Sequence, residues 1–318
     1  MPESKKIFTV FGATGLQGGS VVSTFLTDPK LKDEWTLRGV TRDVNKDSAK
    51  KLAEQGVEVV AADMDDKASV VEAVKGSYAV FAVTNYWEKM DMKLEIQQGK
   101  NMADAAKEAG VQHYIWSSLY DVTKLSNGKL KCVYHFDGKA EVEEYVRSLG
   151  IPATFFMAGV YMSNFPGAMF KPSPPSNAWT LSMPMTPSSQ IPMYSVADTG
   201  KYVKAIILNR EKLLGKRFLG ATNYMTAQEL VDEFKQLFPE AGKTAQYFQL
   251  TESMYRDFMK SQGTPEFVID ETYENVRLLE EFGYYGGAPL DETHKLVTDP
   301  LTTWAEYAKT ASGFAGLK

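Results

Sequence analysis

The chain has a single cysteine, Cys132, in 318 residues, so no internal disulfide can form and a reducing compartment is expected. Its three histidines, His113, His135 and His294, lie far apart in sequence. No His/Cys set has zinc-ligand spacing, and no metal is expected. Clustered Lys/Arg runs are also missing, and the formal net charge is -5. Phosphate-backbone binding draws most of its affinity from concentrated positive charge, so a direct nucleic-acid surface is excluded. Long apolar runs are absent too. The longest nearly apolar stretch, IPATFFMAGVYM, is too short to span a bilayer, and the N-terminal MPESKK is polar where a secretory segment would be apolar. The expectation is a cytoplasmic chain off the membrane.

What is present is a hydrophobic fraction of 44%, enough for a sizeable core in one large domain or a domain with a smaller lobe. From residue 6 to about 160, short β-branched or aromatic runs alternate with helical patterns, the signature of βαβ units and a parallel sheet. The strands expected are KIFTVFGA, TLRGVT, VEVVAAD, YAVFAVT, HYIWSSL and ATFFMAG. Helices are expected over QGGSVVSTFLTD, DKASVVEAVKG with Asp66 as N-cap, KLEIQQGKNMADAAKEAG and GKAEVEEYVRSLG. Gly110 and Gly150 read as left-handed C-caps of the last two.

The fold class is therefore α/β, a doubly wound Rossmann sheet over residues 1–160 with a smaller interleaved lobe over 161–318, and some later segments are expected to return to the first domain. After Gly159 the run YMSNFPGAMFKPSPPSNAWTLSMPMTPSSQIPMY is rich in Met, Pro and Ser. So many prolines predict an irregular lobe over the site. Helical patterns follow in VADTGKYVKAIILN and in TAQELVDEFKQLF, with a capping box from Thr226 to Glu229, and GKRFLGAT reads as a strand.

TVFGATGLQGGSV places Gly12, Gly15 and Gly18 at three-residue spacing between the first strand and the first helix. One glycine lets the chain reverse, another removes a side chain where backbone meets pyrophosphate, and the helix N-terminus supplies free N–H groups. This predicts a dinucleotide site that includes Thr14, Leu16 and Gln17. The end of the second strand, GVTRDVNK, presents Arg42 and Lys46 where a 2′-phosphate would sit, with Asp43 one position later and turned away. That arrangement favours NADP(H) over NAD(H). At the ends of the third and fourth strands, Asp63, Met64, Thr84, Asn85, Tyr86 and Trp87 reach the same carboxyl edge, where each side chain has either a ligand contact or a packing role.

Short-chain dehydrogenases pair a tyrosine with a lysine four residues later on one helix, with a serine at a nearby strand end. Here YHFDGK puts His135 at the tyrosine position and Lys139 four residues on, and IWSSL supplies Ser117 and Ser118. Positions i and i+4 share a helix face, whereas Tyr134, five residues before Lys139, does not. His135 is either a proton donor or a structural histidine; Lys139 suits the ribose hydroxyls. The catalytic candidates are Lys139, His135 and Ser117.

With GATGLQGGSV, VTR, VTNYWE, QGK, HFDGKAEVEEY and GIP in this order, the chain resembles the NmrA-like family of atypical short-chain dehydrogenases, above all its NADPH-sensor branch. The resemblance covers most of the chain. It implies a Rossmann domain, NADP(H), and cofactor contacts from Gly12, Gly15, Gln17, Gly18, Arg42, Asp63, Thr84 and Lys139. It also extends to phenylpropanoid reductases that lack the tyrosine but keep the lysine, and to fungal imine or carbonyl reductases. Tyr86, Trp87, Phe136, Tyr161, Met162, Asn164 and Phe165 are candidates for lining an apolar pocket, with Tyr161 and Asn164 also next to the cofactor, and core packing is the alternative for each. Two functions remain open: NADPH-dependent reduction of a C=O, C=N or conjugated C=C bond of a small apolar molecule, or a non-catalytic NADPH sensor acting on a regulatory protein partner, in which case a nuclear location is also expected. The sequence leaves the oligomeric state undetermined.

Overall fold

A computed structural model describes residues 5–318. Seven strands, β1 (Lys6–Val10), β2 (Trp35–Thr41), β3 (Glu58–Ala61), β4 (Ala79–Ala82), β5 (His113–Ser118), β6 (Ala153–Ala158) and, far downstream, Arg217–Gly220, form one sheet. Taken from the downstream strand, the order is Arg217–Gly220, β6, β5, β4, β1, β2, β3, with every pairing parallel. This is the doubly wound arrangement, and its order reverses between β1 and β4, where such sheets open a crevice at their carboxyl ends. β4, β5 and β6 are buried at every position, because helices cover both faces and leave no side of the strand for water.

One face is covered by helices Leu16–Thr27 and Thr199–Leu208, whose Val21, Val22, Phe25, Tyr202, Val203 and Ile206 pack on the sheet. The other face carries helices Lys67–Val74, Met92–Glu108 and Tyr134–Leu149, through residues such as Val70, Met102 and Val142. Asp66 caps its helix by accepting from the Ala68 N–H, and Gly110 and Gly150 adopt the left-handed conformation just past their helices. A helix over Asp47–Glu54 joins those read from the sequence. The helix carrying His135 begins at Tyr134 rather than Gly138, so Lys139 sits in its second turn.

The proline-rich segment is not irregular. It forms β7 (Val160–Tyr161), β8 (Phe170–Ser173), β9 (Ala178–Met183) and β10 (Gln190–Tyr194). With Arg217–Gly220 as β11, the remaining strands are β12 (Asn223–Thr226) and β13 (Gln246–Gln249). Two three-stranded sheets result, ordered β12-β10-β7 and β13-β9-β8. The prolines fit where a missing N–H is harmless. Pro172 lies on β8, an edge strand, and β10 pairs with β7 only from Met193 onward, so Pro192 has a neighbour strand on one side alone. The lobe has its own core, to which Phe136, Met162 and Phe165 belong, so these three do not line the cleft. The longer helices of the lobe are Ala227–Leu237, opened by the Thr226–Glu229 capping box, Glu252–Ser261 and Glu266–Glu281, and the shorter Trp304–Thr310 packs Trp304 and Ala308 into the same core.

The contact between helices Leu16–Thr27 and Thr199–Leu208 tolerates no side chain at Gly200. A Cβ there would lie 2.1 Å from Thr24 Oγ1 and 2.4 Å from the Ser20 carbonyl oxygen. Gly200→Ala is expected to cost about 1–3 kcal/mol by overpacking, read as a lowered denaturation midpoint with an unchanged m-value; an unaltered midpoint would show that the helices separate without cost.

Candidate functional site

The crevice at the reversal point is one continuous cleft of about 1550 Å³. Its floor begins at the turn after β1. Gly12 has φ +62°, and the Gly15 N–H donates back to its carbonyl at 2.8 Å. A Cβ on Gly18 would lie 2.3 Å from the Gly12 carbonyl oxygen, so only glycine lets the helix start this close to the strand end. No side chain caps that helix and its first turn holds no acidic residue. Its N–H groups and dipole are therefore left to an anion, as the pyrophosphate of a dinucleotide requires. Gly12, Thr14, Gly15, Leu16, Gln17 and Gly18 all line this end.

The β2 and β3 ends supply Arg42, Lys46, Asp63 and Met64 to the same wall. Asp43 is turned into its own loop, where it accepts from the Asn45 N–H at 2.9 Å. Arg42 is already engaged, its two Nη groups donating to both carboxylate oxygens of Glu88 at 2.6 and 3.1 Å.

At the middle of the cleft, Thr84, Asn85, Tyr86, Ser117, His135, Lys139, Tyr161 and Asn164 converge. Gln17 ties three segments together: its Nε2 donates to Tyr161 Oη at 2.7 Å and its Oε1 accepts from Ser117 Oγ at 2.8 Å. Ser118 turns instead to the buried Glu143. Lys139 is almost wholly buried, and its ammonium donates to Glu95 Oε1 at 2.6 Å, to Thr84 Oγ1 at 2.8 Å and to the Thr84 carbonyl at 3.4 Å. All three of its donors thus have protein acceptors, so reaching a ribose hydroxyl requires exchange of one, the long contact to the Thr84 carbonyl being the weakest. Glu95 Oε2 is also buried and has no partner among the described residues; it lies beside Gly138, where an added Cβ would come within 3.1 Å of it.

His135 is held by a residue that the sequence did not single out. Glu271, fully buried on helix Glu266–Glu281, accepts from His135 Nδ1 at 2.6 Å, from the His135 backbone N–H at 2.9 Å and from Tyr86 Oη at 2.7 Å. With Nδ1–H committed to the carboxylate, Nε2 is the ring nitrogen left for other partners. Burial, and then the neighbouring Glu271 carboxylate, push the Tyr86 phenol far above its ordinary range. Tyr86 is therefore a fixed donor to Glu271 and not a proton source. Tyr134 does not line the cleft. The other histidines are structural: His113 is buried against Thr154 and pushed down to about 3 by desolvation, and His294 bonds the Ala221 carbonyl.

Beyond His135 the cleft opens into an apolar chamber under the second lobe, walled by Met169, Met183, Met254, Phe258 and Met259. Asn275, one helical turn past Glu271, also lines it, with a buried Nδ2 that has no partner among the described residues. Sequence reading found the methionine-rich composition but not these positions. Trp87, which it did name, lies at the rim against the His135 ring, 44% exposed. Among the described residues no three His, Cys, Asp or Glu are grouped to hold a metal, and no helix is long and apolar enough to cross a membrane.

Comparison with known proteins agrees with this architecture. The family model described as NmrA-like family matches residues 4–308. The NmrA-like family domain-containing oxidoreductase malD of Malbranchea aurantiaca is 30% identical, the match covering 98% of this chain and 93% of the relative. Among solved structures, Nmra, a negative transcriptional regulator, superposes with a TM-score of 0.79 at 22% identity, over 96% of this chain and 95% of that one. The triphenylmethane reductase of Citrobacter sp., complexed with NADP(H), superposes at 0.75 and 22% identity, over 96% and 99%. The two structures share the fold, and the near full-length sequence match makes the assignment: the chain belongs to the NmrA-like family.

Proposed function

We propose that this chain is an NADPH-dependent oxidoreductase that reduces a C=O, C=N or conjugated C=C bond of a small apolar molecule. The observation that carries the reading is the cleft itself. At about 1550 Å³ it exceeds the roughly 300–1,000 Å³ of a single ligand site, and its chemistry changes along its length. A glycine turn, a helix N-terminus and cations line one end, and methionine and aromatic side chains line the other. His135 and Lys139 stand at the junction. Support also comes from the oxidoreductase relative and from the NADP(H) complex of the structural neighbour. A cytoplasmic setting fits a chain with one cysteine.

The residues fit the cofactor that the family implies. The uncapped helix after Gly15 would receive the pyrophosphate, Arg42 and Lys46 the 2′-phosphate, and Glu95, Thr84 and Lys139 the nicotinamide ribose. When bound, reduced nicotinamide would supply the hydride. The chain's own part is to orient the acceptor against the chamber wall, exclude water and deliver one proton. Glu271 fixes the His135 ring through Nδ1, so the proton is delivered from Nε2 of the imidazolium.

A second reading, a cofactor sensor acting on a protein partner, is favoured by one observation: the position four residues before Lys139 holds His135 in place of a tyrosine, and Tyr86 is committed as a donor to Glu271. In that reading, NADP(H) occupancy changes the rim around Trp87 and the partner responds to it.

Titrating NADPH and NADH into the purified protein and then following nicotinamide absorbance with carbonyls, imines and enones separates the two. Tight NADPH binding with acceptor-dependent oxidation is expected; tight binding with none across the panel favours the sensor. His135→Phe should lower kcat about 100-fold or more while leaving the NADPH Kd unchanged, and full turnover in this variant would remove His135 from the chemistry. Lys139→Met leaves Glu95 a buried carboxylate without its cation and should cost about 3–5 kcal/mol, whereas the Lys139→Met/Glu95→Gln pair should recover most of that stability in urea denaturation. Equal destabilisation of both variants would mean that the ion pair is not what holds this wall.

A further inference from the structure

The guanidinium best placed for a 2′-phosphate is not waiting empty. Arg42 presents its planar fork to both oxygens of Glu88, at 2.6 and 3.1 Å, the two-point geometry by which arginine also grips phosphate. Arg42 follows β2 and Glu88 closes the short turn Tyr86–Glu88 after β4. β1 lies between those two strands, so the pair crosses the mouth of the cleft above the glycine turn.

Charges of both signs surround the pair. Arg42, Lys46 and Lys89 face Asp63, Asp65 and Glu88 on the same walls. Hydrogen bonding and charge between Arg42 and Glu88 raise the guanidinium's pKa and lower the carboxyl's, each partner stabilising the charged form of the other. Lys89 and Lys46 also act on Glu88.

The turn that carries Glu88 is itself under tension. It runs into Met90, a bulky residue held at φ +53°, a conformation that side chains with a Cβ seldom adopt. The pair is solvent-exposed, with side-chain accessibilities of 60% for Arg42 and 38% for Glu88, so it is open to exchange with a ligand.

We propose that Glu88 is an internal stand-in for the 2′-phosphate, holding Arg42 in the free protein, yielding it to NADP(H), and thereby setting the margin by which NADP(H) is preferred over NAD(H). A phosphate brings two charges and three acceptor oxygens to a site that one carboxylate occupies. NAD(H) brings only a hydroxyl and leaves the Arg42–Glu88 pair closed. Glu88 is thus a specificity-determining residue that restrains the preference for NADP(H).

This inference rests on the dinucleotide reading above, and the test keeps the two apart. Calorimetric Kd values are measured for NADPH, NADH and 2′,5′-ADP with the wild type, Glu88→Gln and Arg42→Gln/Glu88→Gln. Removal of an exposed competing pair should tighten NADPH and 2′,5′-ADP about fivefold in Glu88→Gln, leave NADH unchanged, and lose the whole gain in the double variant. Wild-type binding of NADPH with no tightening in Glu88→Gln, or equal tightening of NADH, would overturn the role of Glu88 alone. A wild type that binds neither dinucleotide would overturn both readings.

Discussion

A carboxylate taken wholly out of water must be met by donors, and Glu271 draws all of its donors from across the cleft. It sits on a helix of the second lobe, and the groups that satisfy it, Tyr86 Oη, His135 N–H and His135 Nδ1, belong to two segments of the Rossmann body. The desolvation of that charge is offset only while those segments and the helix stay together. That side chain therefore sets the orientation of the imidazole, and Glu274 on the same helix adds a further tie by accepting from the Lys131 and Cys132 N–H groups. Gln17 adds another tie in the same region, joining the glycine turn to Ser117 at the end of β5 and to Tyr161 on β7.

Within that frame the cleft separates two kinds of work. The sheet's carboxyl edge supplies fixed charges and backbone donors, which bind and orient. The second lobe supplies methionine side chains, whose flexibility would suit varied apolar shapes under the proposed reading. Asn275 is the exception on that wall, a buried donor without a partner, suited to an acceptor atom carried by an otherwise apolar molecule. His135 and Lys139 lie on the same cleft between these two walls, where under the proposed reading a reacting bond would meet both.

Much of the parallel sheet was legible in the sequence, because its signals are local. β-branched runs, the glycine spacing, the Asp66 cap and the i, i+4 relation of His135 and Lys139 need only near neighbours. What escaped was pairing at long range. Glu271 is 136 residues from His135, Glu88 46 from Arg42, and Glu95 44 from Lys139, and in sequence each reads as one more surface acid. The proline-rich segment misled for a related reason. Proline forbids a central ladder position but not an edge, and which strands become edges is decided by tertiary assembly. Arg42 was placed correctly at the cleft, yet nothing near it announced that a carboxylate would already hold it.

The last strand of the large sheet bears on how the chain comes to be folded. β11 docks on β6 only after about sixty residues, which pass through the second lobe and then lay helix Thr199–Leu208 on the sheet. During synthesis the first 160 residues can assemble six strands, but β6, which is buried at every position in the finished fold, then stands with an open hydrogen-bonding edge until residues 217–220 emerge. An edge of that kind is a template for pairing with other chains. The excursion into the second lobe thus sets an interval of exposure, and cutting the chain at the apparent domain boundary near residue 160 would make that interval permanent.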